Sequence, residues 1–401
     1  MMTSSSIATH RRRAVPAAVA VSLLLVACSS QQEGSTSAAS SGGSSGTASA
    51  CPNEQQAQQD YQKTWQAAEQ QLGLSGIKPP TVKVCDVDTS KYKKSPQNGK
   101  FKIAFAAQGP TNSWAMENEE AFKYQAQQKG VDVLYASANG DATKQVDNIQ
   151  QLASQNPDAM VVVPMGPGIT GQVRAATQQG IPVVLCAGRL EGDSGAVSTV
   201  VRSYELQATL LAEWLVKQLN GKGKVAMLSG IAGVPTAEYQ KAAAAKVFAQ
   251  YPGIQVVTKQ YTDWSPTKAK TVAANLVAQY PNLDGIWSDS GFSDLGVMEA
   301  YKQAGKQVPP LTGDSSNAFL KAAKGTNMKF ALSAFPPEQS QKCLDIALDA
   351  LAGKPVPNIV NVESAAYTNA EIDKYVRPQC SDNLWIPSSL PDALLKKLKL
   401  C

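Results

Sequence analysis

From Phe101 onward, short apolar runs alternate with amphipathic stretches of helical length. The runs Phe101–Ala106, Val131–Ala136, Ala159–Val163 and Ile181–Cys186 predict a first set of strands. Lys224–Leu228, Ile254–Tyr261, Gly285–Ser288, Pro310–Gly313 and Lys329–Ser333 predict a second. Between them, apolar positions at helical spacing predict helices over Met116–Lys129, Ala142–Ser154, Glu205–Leu219, Thr236–Tyr251, Pro266–Tyr280 and Leu295–Gly305. Strand and helix in strict alternation mean parallel sheets with helices on both faces and right-handed crossovers.

The rhythm breaks twice. Residues 188–204 carry a Gly/Asp/Ser cluster and no apolar run, and Pro336-Pro337 stiffens the chain after Ser333. Both read as passages between lobes, with a helix over Gln339–Ala352 returning to the first. The expected fold is α/β: two similar Rossmann-like lobes with parallel sheets, joined by a multi-strand hinge. Residues 99–202 and 336–366 form lobe 1; residues 203–335 and 367–401, with the C-terminal tail, form lobe 2. Ligands of open parallel sheets sit beyond the carboxyl ends of the strands, so two lobes facing each other there enclose a cleft. Ahead of this, Tyr61, Trp65, Ala68 and Leu72 predict a surface helix within residues 52–72, closed by Pro79-Pro80. Residues 51–98 are expected to be a helical extension.

The N-terminus changes the picture from fold to address. Arg11, Arg12 and Arg13 precede an apolar run from Val15 to Val26, which is short for a membrane span. The run ends in Leu25-Val26-Ala27-Cys28, which resembles the lipobox of bacterial lipoproteins. Residues 1–27 are therefore expected to be removed and Cys28 lipidated, placing the protein on the outer face of the cytoplasmic membrane. The Ser/Gly/Ala-rich residues 28–50 read as a flexible tether. Residues 1–27 hold three arginines and no acid, which leaves 34 basic against 32 acidic residues. No basic tract exceeds Arg11–Arg13, against a nucleic-acid partner.

With Cys28 assigned to lipid, six of the seven cysteines remain, an even number suited to disulfides in an exported chain. The preferred pairs are Cys51–Cys85 and Cys380–Cys401, which leaves Cys186–Cys343. The single histidine, His10, lies in the leader. Its loss argues against a Ser-His-Asp enzyme and against most zinc sites. Gly192-Asp193-Ser194-Gly195 is thus no protease nucleophile loop. Gly166-Pro167-Gly168-Ile169-Thr170-Gly171 follows the third strand rather than the first, and Pro167 lacks an amide donor, so it reads as no nucleotide fingerprint. Lys396, Lys397 and Lys399 read as a solvated helix end. No metal and no cofactor is expected.

Five pieces in order carry a family resemblance. These are Ile103-Ala104-Phe105 with Thr111-Asn112-Ser113-Trp114, Gly180–Val184, Gly230-Ile231-Ala232-Gly233, Leu295-Gly296 with Ala304-Gly305-Lys306, and Gly313-Asp314. From Phe101 to about Ala366 the chain resembles the ribose-binding family of periplasmic solute-binding proteins. The resemblance implies a non-enzymatic, monomeric component of an ABC importer that gives a sugar or polyol to a permease and its ATPase. It places Asn112, Trp114, Trp264 and Asp314 at the ligand as amide, two stacking aromatics and carboxylate, with Gln108 and Ser290 beside them. Flat rings suit the C–H faces of a sugar, and carboxylates and amides suit its hydroxyl rim.

The departures also fall at the ligand. The family's Asp-Arg pair after the fourth strand is replaced by Ala187-Gly188, with Arg189 one place later as the donor expected to restore it. Its helix arginine aligns with Gln240, a common Asn with Ser290, and a Gln before the second crossing with Phe335. Fewer strong donors imply a ligand with fewer hydroxyls than a pentose, or one that is not a sugar. Two alternatives share these residues: a sensory lipoprotein that signals occupancy to a membrane receptor, and a glycosidase using carboxylates among Asp289, Asp294 and Asp314.

Overall fold

The computed structural model describes residues 53–79, 83–362 and 364–401. The expected leader, the lipidated Cys28, the tether and Cys51 lie outside the described residues. The strands are β1 (Asp86–Val87), β2 (Lys102–Ala107), β3 (Asp132–Ser137), β4 (Ala159–Val162), β5 (Val183–Cys186), β6 (Ser198–Val201), β7 (Lys222–Ser229), β8 (Gly253–Tyr261), β9 (Gly285–Ser288), β10 (Leu311–Asp314), β11 (Phe330–Ser333), β12 (Val356–Pro357), β13 (Ile359–Asn361) and β14 (Ala366–Thr368). Twelve of them build two sheets of six, and β1 pairs with β12 in a third, two-stranded one. The first runs β13-β6-β5-β4-β2-β3 and the second β14-β11-β10-β9-β7-β8. The first is parallel throughout, and the second has one antiparallel edge, where β14 meets β11. β4 and β5 are buried at every residue, which is why they read as unbroken apolar runs rather than alternating ones.

The main helices are α1 (Glu54–Gln71), α2 (Ser113–Gln128), α3 (Ala142–Ser154), α4 (Thr170–Gln178), α5 (Tyr204–Gln218), α6 (Pro235–Phe248), α7 (Pro266–Gln279), α8 (Asp294–Gln303), α9 (Asn317–Ala323) and α10 (Gln339–Leu351). Side chains cap several of them where they leave the sheet. Asn112 accepts from Ala115, Asp141 from Thr143, Ser203 from Leu206, and Ser316 from Phe319. These caps hold each strand-to-helix turn at the carboxyl end of its sheet.

The chain passes between the sheets after β6, after β11 and after β13. The passages are stitched together: Val362 N donates to Val201 O at 3.1 Å, and Ala334 N to Ala365 O at 2.7 Å. Residues 188–204 differ from the sequence expectation, because they contain β6. Its four residues are too few, among Gly, Asp and Ser, to stand out as a strand. Cys186 at the end of β5 is bonded to Cys343 in α10, with Cα atoms 5.8 Å apart, and Cys380 is bonded to Cys401. The third expected pair includes Cys51 and so lies outside the described residues.

The N-terminal extension docks on the second sheet's half. Trp65, Ala68 and Leu72 pack with Leu210, Leu211 and Trp214 of α5. Tyr61 Oη lies 3.2 Å from Ser203 Oγ, so α1 also braces the first passage.

Candidate functional site

Every strand that ends at the interface between the sheets delivers a residue to one cavity of about 300 Å³. Gln108 follows β2, Ala187 follows β5 and Arg202 follows β6; Trp264 follows β8, Asp289 and Ser290 follow β9, Asp314 ends β10, and Phe335 follows β11. The cavity therefore occupies the place that parallel-sheet topology reserves for ligands.

Trp264 is held by a strained turn. Asp263 and Trp264 both take left-handed backbone angles, φ 53° and 51°, unusual for a bulky side chain. Asp263 N donates to Gly230 O at 3.1 Å, and Ser265 caps α7, so both ends of the turn are fixed. The indole lies against Gly230, where a Cβ would fall 1.9 Å from Trp264 Cε2. Asp289 fastens the pair: Trp264 Nε1 donates to Oδ1 at 3.1 Å and Gly230 N to Oδ2 at 3.0 Å.

Trp114 enters from the first turn of α2. Its Nε1 donates to Phe335 O at 2.9 Å, and the two rings stack with centroids 4.7 Å apart. The guanidinium of Arg202 lies 4.2 Å from the centre of the Phe335 ring. Arg202 is 1% exposed, and it donates to Ala334 O at 2.7 Å while its Nε has no partner. Burial lowers its pKa to about 10, so it stays charged at neutral pH.

Facing this cation are two buried carboxyls. Asp314 Oδ1 accepts from Gly291 N at 2.7 Å. Burial pushes Asp314 and Asp289 up to about 7 each; Arg202 opposes the rise in both, and the amides of Gly291 and Gly230 do so in turn. Asp294, buried behind them, is raised well above the ordinary carboxylate range, chiefly by burial. The cavity thus offers aromatic faces, a cation and carboxylates that titrate near neutrality. Among the described residues no cluster of His, Cys, Asp and Glu is arranged to hold a metal.

Of the residues expected from sequence, Gln108, Asn112, Trp114, Gln240, Trp264, Ser290, Asp314 and Phe335 all line this cavity. Besides the bonds of Trp114, Trp264 and Asp314 given above, Asn112 Oδ1 caps α2, and Gln240 Nε2 donates to Thr236 O at 3.2 Å. Arg189 is the correction. It lines a separate cavity of about 220 Å³, beside Tyr61 and Asn361. There it pairs with Glu205 and lies 3.7 Å from the Tyr239 ring centre, a partner set that draws it away from the cleft. The arginine that lines the cleft is Arg202. It went unseen because it follows β6, the strand hidden in a loop-like segment. Asp289, one of the carboxylates considered for a glycosidase, is instead engaged by Trp264 and Gly230. Trp385, from the tail, also lines the cavity, and no periodicity pointed to it.

The model of the periplasmic binding protein domain matches residues 103–355. The chain belongs to the periplasmic binding protein family. Its relatives include the ribose import binding protein of Bacillus subtilis, 26% identical over 282 residues, covering 69% of this chain and 91% of that one. The xylitol-binding protein of Mycolicibacterium smegmatis is 27% identical over 221 residues, 53% of this chain and 62% of that one. Among solved structures, an ABC transporter solute-binding protein from Mycobacterium smegmatis with bound glycerol superposes with a TM-score of 0.65 at 25% identity, covering 70% of this chain and 98% of that one. A galactofuranose-binding protein superposes with a TM-score of 0.64 at 21% identity, a likeness of fold. The family consists of binding proteins, and the two six-stranded sheets are those of its type I fold.

Proposed function

We propose that this periplasmic binding protein is the solute-binding component of an ABC importer and takes a small sugar, polyol or cyclitol between its two lobes. The observation that carries this reading is the convergence of Trp114, Trp264 and Asp314 on one cavity, with each half of the molecule contributing an indole. Rings cover the C–H faces of such a ligand; Asp314 and Arg202 accept from and donate to its hydroxyls. The ligands named for the relatives and neighbours, ribose, xylitol and glycerol among them, belong to this class.

The apolar share of the lining favours a ligand with few hydroxyls. Phe335 and Ala187 present no hydrogen-bonding side chain where the resemblance leads one to expect Gln and Asp. The ligand makes contacts with both halves only when they approach, so it biases the closed form. That form is the one read by the permease and its ATPase. The working lobes are residues 99–202 with 336–366, and 203–335 with 367–401. The monomer is held to the outer face of the cytoplasmic membrane through lipid on Cys28.

A thermal-shift screen of pentoses, hexoses, linear polyols and cyclitols tests the reading. A ligand that binds only folded protein raises the melting temperature with concentration. Radiolabel or mass tagging of Cys28 in the intact bacterial membrane tests the anchor; a Cys28→Ala chain released to the medium is the expected result.

A further inference from the structure

The C-terminal tail contributes to the cleft. Its base is fixed on the second half of the molecule. Asn317, at the start of α9, donates from Nδ2 to Arg377 O at 2.8 Å and to Ser381 O at 2.9 Å, and its backbone N donates to Leu384 O at 2.9 Å. Leu390, Leu394 and Leu400 pack into the core beside Phe319 and Leu320. The Cys380–Cys401 bond closes the tail into a loop.

From that base the loop reaches the first half. Trp385 Nε1 donates to Ser113 Oγ at 3.1 Å, and Trp385 N donates to Glu117 Oε1 at 3.2 Å, both on α2. Ser388 Oγ and Ser389 N donate to Glu338 Oε1 at 2.7 and 2.8 Å, where the chain enters α10. The Trp385 ring packs with Trp114 and lines the cavity. A segment anchored on one half thus holds the other by four hydrogen bonds and walls the space between them.

We propose that Trp385 is a specificity-determining residue of the ligand site and that the tail is a strap across the two halves. This rests on the sugar- or polyol-binding reading above and names the residue that limits ligand size. The ring takes space that a second sugar unit would need, so the site accepts single small rings or chains and rejects disaccharides. The bonds to Ser113 and Glu117 must break, or the tail must travel with α2, whenever the halves part.

The test uses the full mature chain with its disulfides intact, as wild type, Trp385→Ala, Trp385→Phe and Ser113→Ala. Titration calorimetry measures monosaccharides and polyols that wild type binds, alongside disaccharides. Circular dichroism confirms folding, and Trp385→Phe and Ser113→Ala guard against loss of the fold in the alanine variant. The expected result is that Trp385→Ala narrows the preference for small over large ligands at least tenfold, with smaller shifts in the other two. Hydrogen exchange of ligand-free protein supplies the second arm, with faster exchange expected in the first turns of α2 in all three variants. If no panel member binds wild type, the sugar-binding reading fails while the exchange arm still decides the strap. Folded variants with wild-type ligand ratios overturn the specificity role, and wild-type exchange at α2 overturns the strap.

Discussion

The indole of Trp264 rests on the bare Cα of Gly230, and one carboxylate, Asp289, bonds to both. Trp264 Nε1 and Gly230 N meet its two oxygens at 3.1 and 3.0 Å. Glycine is required here by close approach alone, since a Cβ would lie 1.9 Å from the ring. Gly230→Ala is therefore expected to swing the indole out of place and weaken ligand binding by about tenfold or more, the scale of a lost aromatic contact. Calorimetry with the best ligand of the screen measures it, and tryptophan fluorescence of the free protein reports the displacement.

Asp314 accepts from the backbone through one oxygen and has further lone pairs for the ligand. Asp314→Asn keeps the shape but trades acceptor capacity for a donor next to Arg202. Hydrogen bonds to charged groups contribute about 1.5–3 kcal/mol, so the dissociation constant is expected to rise by roughly ten- to a hundredfold. An unchanged constant in the folded variant removes Asp314 from the site.

Asp289 and Asp314, each raised to about 7 by burial, bind protons more tightly folded than unfolded. Their contribution to ligand-free stability is full below the unfolded value of 3.8 and is lost as pH rises through about 7. Ligand hydroxyls that donate to the ionised carboxylates act in the opposite sense and favour proton loss. Binding near pH 6 is thus expected to release protons, and affinity to fall as pH drops from 8 to 5. Titration in two buffers of different ionisation enthalpy reads the proton count directly; none released, with affinity flat across the range, refutes the assignment.

The Cys186–Cys343 bond ties the last residue of β5 to α10, across 157 residues of chain that include the whole second sheet up to β11. Replacing both cysteines by serine is expected to lower stability by about 2–5 kcal/mol, the usual scale for removing a native disulfide. Denaturant unfolding checks the loss. Ligand affinity at 25 °C should be retained, because neither sulfur lines the cavity.

The alternation of strands and helices was legible because β4 and β5 are apolar along their whole length and α2, α3, α5, α7 and α9 each start on an Asn, Asp or Ser cap. The site residues were legible where they sit at a recognisable strand end, as with Gly313-Asp314, or in a turn of restricted chemistry, as with Asp263-Trp264-Ser265-Pro266. Arg202 was not, since a four-residue strand inside a polar segment leaves no periodic signal. Arg189 looked equivalent in sequence, but the Glu205 carboxylate and the Tyr239 ring hold it in the neighbouring cavity. Trp385 reaches the cleft only through the tertiary path of the tail, and no local pattern encodes that path.

Titration calorimetry of wild type against Trp264→Ala, with the sugar, polyol or cyclitol that most raises the melting temperature, tests the central claim most directly. One-to-one binding by wild type and a loss of tenfold or more in a folded Trp264→Ala chain is the predicted result. Equal affinity in the two proteins would contradict a ligand held between the indoles of Trp114 and Trp264.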